Sequence, residues 1–478
     1  MTKPFPPSKW TAVEAAHLLN RAGFGGTPSE IEALRALGVV GAVDRLLTGD
    51  EDDDLFPPPP LSEPTELHEE MAAMRGTSDD EEKRELRKQR NQAQRQQLFA
   101  LRAWWLGRMR YTPHPLREKL TLFWHGHFAT GYQKVKVAYL MWRQNETLRA
   151  GALGDFRELA KQVSKDPAMM KYLDTVNSKR QKPNENFARE LMELFLLGEG
   201  VRYTEDDIKE SARAFTGYGL DPRVMAFRKV PRVADSGEKN FLGEQGNFDG
   251  DAIIDIIAEQ PECSEFIVGK LWRFFVSDEA PPDQIRALAA NFRGSGYDIP
   301  STLRELFLSD AFYAPSVIRS QIKSPIQWVI QTARVLNAPL PAPAAMEAAL
   351  KQMGQIPFEP PNVKGWPGGR AWITSSTYLF RCNLAGYIAS GKAPTLAGFR
   401  KSIGPVALPL AEIASPELRR DPGSLCDSIA LRLLNVRLPD GDRKKFIVFL
   451  QDHGDLVEEG TLRDFLHLVM STPEYQIT

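Results

Sequence analysis

Cysteine is almost missing from this chain: Cys263, Cys382 and Cys426 are its only three in 478 residues, and no two share a C-x-x-C spacing. That excludes a disulfide framework and a thiolate-built zinc site, and the three read as buried free thiols. A surplus of either charge is missing too. Sixty Lys and Arg stand against sixty-two Asp and Glu, whereas a general nucleic-acid binder needs a basic excess to neutralise phosphates. No stretch of about eighteen apolar residues occurs, so no membrane-spanning helix is expected. The opening MTKPFPPSKWTAVEAAHLL lacks the apolar segment and small-residue cleavage site of a secretory signal, which makes the cytoplasm the expected location. G-x-S-x-G, H-E-x-x-H and phosphate-loop spacings are all absent. The seven histidines are scattered and give a Ser/His/Asp arrangement little support.

What is present is an ordinary globular composition, 42% apolar and 26% charged, in a chain long enough for one large or two ordinary domains. Apolar residues recur at helical spacing nearly throughout. The fold class expected is mainly α: a multi-helix globular protein with two long irregular loops and a small β-hairpin. Residues 1–49 hold the first helices; one starts at a capping box formed by Thr27 and Glu30, with Pro28 in its first turn. Residues 50–97 read as an acidic and proline-rich linker (DEDDD, PPPP) followed by a charged helical arm, solvated or mobile. Residues 98–478 form the main helical body. Two stretches break the rhythm, 219–251 and 357–372, rich in glycine and turn residues.

The densest chemistry lies in PNENFARELMELFLLGEG at 183–200. On one helix from about 184 to 197, Phe187, Leu191, Leu194 and Phe195 make an apolar stripe, and Asn186, Glu190 and Glu193 make a polar line beside it. Arg189, Glu190 and Glu193 are therefore the catalytic candidates. The competing reading is a polar network that only joins helices, since Glu185, Arg189 and Glu193 also have the spacing of helix ion pairs. A second capping box is expected from Thr204 to Asp207. Trp124-His125-Gly126-His127 is the next candidate. On a regular helix His125 and His127 point about 200° apart, so they share an ion only if the helix ends at Gly126. A divalent transition metal held by His125, His127 and Glu190 is one reading. The other is a buried, hydrogen-bonded His127 with an exposed or capping His125. In the glycine-rich loop at 361–370, Lys364, Trp366 and Arg370 are the cofactor-binding candidates, through charge and ring stacking; wedge packing of the tryptophans is the alternative.

Four segments, AHLLNRAGFG at 16–25, TLFWHGHFATG at 121–131, the 183–220 run and PPNVKGWPGGRAWITSS at 360–376, together resemble the bacterial domain of unknown function 1800 family. The resemblance implies a largely helical bacterial protein with no established activity. Members often sit beside a second uncharacterised protein that looks exported, which implies a partner and carriage by it. The family pattern places a His before the Asp of DSGEKNFLG; here Ala234 precedes Asp235. Two function classes follow. In one, an enzyme, the WHGH segment, the NENFARELMEL helix and the GWPGG loop converge on one cleft, with the irregular segments 219–251 and 357–372 flanking it. In the other, a chaperone-like assembly partner, the same residues form a buried network.

Overall fold

Helix starts are set by short polar side chains. Thr11, Thr27 and Thr204 each close a capping box with an acidic residue three positions on, satisfying two otherwise orphaned N–H groups reciprocally. Asp155, Asp166, Asp249, Asp298 and Ser324 cap five more. The computed structural model describes residues 3–48, 55–390, 405–452 and 456–478; the expected acidic linker at 50–54 lies outside them. Among the described residues there are twenty-three α-helices and two small antiparallel sheets. The fold is mainly α. No described helix is long and apolar enough to cross a membrane.

The irregular stretch 219–251 is largely two hairpins. Tyr218–Asp221 pairs with Ala226–Lys229, and Lys239–Phe241 pairs with Glu244–Gly246. The charged arm is one leg of a helical hairpin. The chain breaks at 77–79 between helices Pro64–Gly76 and Asp80–Tyr111, and the two run back along each other. The Ser62 N–H donates to Gln97 Oε1 at 3.2 Å, and Arg90 meets Glu70 at 3.8 Å.

Buried apolar residues fall into two clusters. The first gathers Ala15–Leu19, Phe156, Phe187–Leu197 and the helices from Ile253 to Phe307; the second gathers Leu98–Met109, Val137–Met141, Ile326–Met353 and the C-terminal helices. Helix Pro115–His127 joins them, giving Leu116, Leu120, Phe123 and Trp124 to the first cluster and Leu122 to the second. A buried ionic knot fixes it. Glu118 accepts from Arg108 Nε at 2.7 Å, Arg149 Nε at 2.6 Å and Trp105 Nε1 at 2.9 Å. Burial alone pushes this carboxyl up, but Arg149 and Arg108 outweigh it and hold it below the usual range.

Candidate functional site

The helix expected to run unbroken to 197 changes its winding halfway. Glu185–Glu190 is α-helical, and Leu191–Leu196 is a π-helix. The N–H groups of Leu197 and Gly198 both reach back to the Met192 carbonyl at 3.0 Å. π-Segments are rare and concentrate at functional sites. Two carbonyls at the end of this one are taken by side chains from elsewhere. Lys270 Nζ donates to the Leu194 carbonyl at 2.9 Å, and His127 Nε2 lies 3.0 Å from the Phe195 carbonyl.

His127 is therefore fully engaged. Its Nδ1 lies 3.1 Å from Lys270 Nζ, and a neutral ring carrying its proton on Nε2 satisfies both contacts. Burial, helped by Lys270, holds its pKa well below the ordinary value. Burial also draws the Lys270 amine down to about 8. His125 faces the other way, as helix geometry demands. It is buried, correcting the expectation of an exposed or capping residue: it packs on Trp105 and Phe358, and its Nε2 accepts the Phe358 N–H at 3.0 Å. Burial draws its pKa down to about 3. Phe358 has φ +67°, a left-handed backbone that is costly for a bulky residue. It is held there from three sides, because Tyr132 N–H donates to its carbonyl at 2.9 Å and Arg102 Nε binds the preceding Pro357 carbonyl at 3.1 Å.

Between the histidines, Gly126 meets the glycine-rich loop. A Cβ on Gly365 would stand 2.2 Å from the Gly126 carbonyl, and Gly365 has φ +78°, so two constraints demand glycine there. Trp366, half-buried, packs on His125 at 5.6 Å between ring centroids. Lys364 pairs with Glu199 at 3.3 Å in the open, while Arg370 is exposed and Trp372 buried. The WHGH segment, the π-helix and the loop thus do meet.

The three catalytic candidates differ in their freedom. Arg189 makes two 2.8 Å bonds to Glu205 and longer contacts to Glu185 and Glu193, so Glu205 above all raises its pKa. Its charge is paired on several sides. Glu193 has, among the described residues, only the 3.5 Å contact to Arg189. Glu190 is half-buried and, among the described residues, has no hydrogen bond or ion pair. Burial and then Glu193 raise its pKa, against the pull of Lys364 and Arg189, and Glu190 in turn helps burial to raise that of Tyr172. Asp235, by contrast, is locked: Arg213 donates to it at 2.9 and 3.2 Å, and Gly237 N–H at 2.8 Å.

Among the described residues no group of three His, Cys, Asp or Glu side chains could hold a metal ion. With the His125 and His127 contacts above, this gives the reading of a metal on His125, His127 and Glu190 no support. The sequence gives little sign of the role of Lys270, which is one of four charged residues in helix Pro261–Phe275.

The fold is mainly α-helical, with the WHGH segment in contact with both a π-helix and the glycine-rich loop. The chain belongs to the family described as "Protein of unknown function (DUF1800)", whose model matches residues 17–477. Comparison with curated proteins and with solved structures finds no match.

Proposed function

We propose that the surface around Glu190, between the π-helix and the GWPGG loop, is a small-molecule site in which Glu190 exchanges or shares a proton with a hydroxyl-bearing ligand. One observation carries this reading: among the described residues, Glu190 is the half-buried carboxylate left without a partner on a helix whose other charges are paired. Partial burial with a like-charged neighbour is how a carboxyl is tuned toward acid–base work. Tyr172 and Lys364 lie within its electrostatic reach, and Trp366 offers a partly exposed ring for stacking on a sugar-like face. His125 and His127 act as positioning residues, holding the loop and the π-helix in place. On this reading no metal is needed.

The test is a fluorescence titration with mono- and disaccharides, recorded for the wild type, Glu190→Gln and Trp366→Phe. A saturable change in the wild type, lost in Glu190→Gln with unchanged helical circular dichroism, supports the proposal. No response to any sugar, or undiminished binding by Glu190→Gln, sinks it.

The partner reading has one observation of its own. Leu379, Leu431, Val448, Leu456 and Leu468 are large apolar side chains left exposed in the C-terminal quarter, as an interface requires. Co-purification with the neighbouring exported protein, abolished by Leu431→Lys with Val448→Lys, would favour it.

A further inference from the structure

A second site lies far from Glu190 in sequence, where the N-terminal segment, residues 310–319 and the C-terminal residues meet. They enclose a groove of about 680 Å³, within the range of small-ligand pockets. Its position is at the seam of the two cores: Phe5 and Tyr313 belong to the first cluster, while Val436 packs on the second. Backbone bridges Pro4↔Ser309 and Ile322↔Ile477 tie both ends of the chain to the same segment.

Among the described residues, two donors at the groove have no hydrogen-bond partner. The Tyr313 hydroxyl is buried without a hydrogen bond, in a residue only 4% exposed and wedged among Phe5, Trp10 and Phe312. Arg319 Nε is likewise buried and unbonded, although its Nη2 donates to the Glu474 carbonyl at 3.2 Å. Leaving such groups unsatisfied is costly, so two beside one groove call for an acceptor, and the cation makes a carboxylate the fitting one. The remaining charged lining is mixed, with Lys9 as a further cation among three acidic side chains. Glu14, Asp310 and Glu474 bring carboxylates, which suit an ammonium group and oppose a simple anion. Phe5, Ile318, Val436 and Ile477 supply the apolar wall.

We propose that this groove binds a zwitterion with an apolar body, of the class of apolar dipeptides. Its carboxylate is received by Tyr313 and Arg319, its ammonium by the acidic side, and its side chains by the apolar wall. The site is independent of Glu190.

Calorimetric titration of the full chain with leucyl-phenylalanine tests this, with acetyl-leucyl-phenylalanine (no ammonium) and leucyl-phenylalanine amide (no carboxylate) as comparisons. Saturable binding of the free dipeptide is expected, with both blocked forms weaker by about tenfold or more, since each loses a charged contact. Tyr313→Phe, which keeps the ring, and Arg319→Gln should each weaken the free dipeptide by a similar factor. Glu190→Gln should leave binding unchanged. No binding at millimolar dipeptide, equal binding of the blocked forms, or indifference to both groove variants overturns the proposal.

Discussion

Single side chains in this protein hold elements together over long distances in sequence, and Glu118 is the clearest case. It anchors Arg108 and Arg149 from the helices before and after its own, all three nearly or fully buried. Glu118→Gln keeps the shape but removes the charge that compensates two buried guanidinium groups, and breaking such a pair costs about 3–5 kcal/mol. Urea unfolding should show a loss of that size with the helical signal retained at low denaturant. A loss under about 1 kcal/mol would mean the knot is solvated. Nothing near Glu118 in the sequence announces this role, because its partners come from positions 10 and 31 residues away.

Among the elements, features set by immediate sequence neighbours are the legible ones. The capping boxes at Thr27 and Thr204 and the helix Pro115–His127 depend on neighbours within a few residues. The opposed directions of His125 and His127 follow from helix pitch alone. The π-helix was not legible. Phe187, Leu191, Leu194 and Phe195 have α-helical spacing, and the wider winding is accompanied by His127 and Lys270 on its last carbonyls, both distant in sequence. The burial of His125 was hidden similarly, since its partner Phe358 lies 233 residues on. The contact of Gly126 with Gly365 gives the element-scale prediction. Gly365→Ala would place a methyl 2.2 Å from the Gly126 carbonyl on a left-handed backbone, so the loop must retreat. We expect a loss of about 1–3 kcal/mol in thermal unfolding and a change in Trp366 fluorescence. An unchanged melting temperature and spectrum would show that the loop does not rest on Gly126.

At the scale of the whole molecule, buried neutral histidines set the response to acid. Burial lowers the pKa of His17, with help from Arg21, and those of His125 and His127 as described. The unfolded chain binds these protons near pH 6.5 while the folded one refuses them, so their stability is present above about 6.5 and is lost as pH falls toward the folded values. Each contributes up to roughly 1.4 kcal/mol per pH unit in that window. Asp166 opposes them. Burial pushes its carboxyl up to about 7, so acidification from there toward about 4 returns stability. Three histidines outweigh one carboxyl. Unfolding free energy should therefore drop between about pH 7 and about pH 5, and drop less in His125→Gln, which keeps an acceptor for Phe358. Equal stability at both pH values would contradict the burial of these rings.

The Trp-His-Gly-His segment has a further consequence, one of length rather than identity. His125 reaches the strained start of the loop, His127 reaches the end of the π-helix, and Gly126 between them leaves room for Gly365. On a helix each residue turns the next by about 100°, so inserting or deleting one residue here would swing one histidine off its target whatever side chain were chosen. Flanking substitutions are a matter of packing and can be compensated by neighbours. The spacing cannot, and this dipeptide step is the gauge to which both halves of the protein are cut.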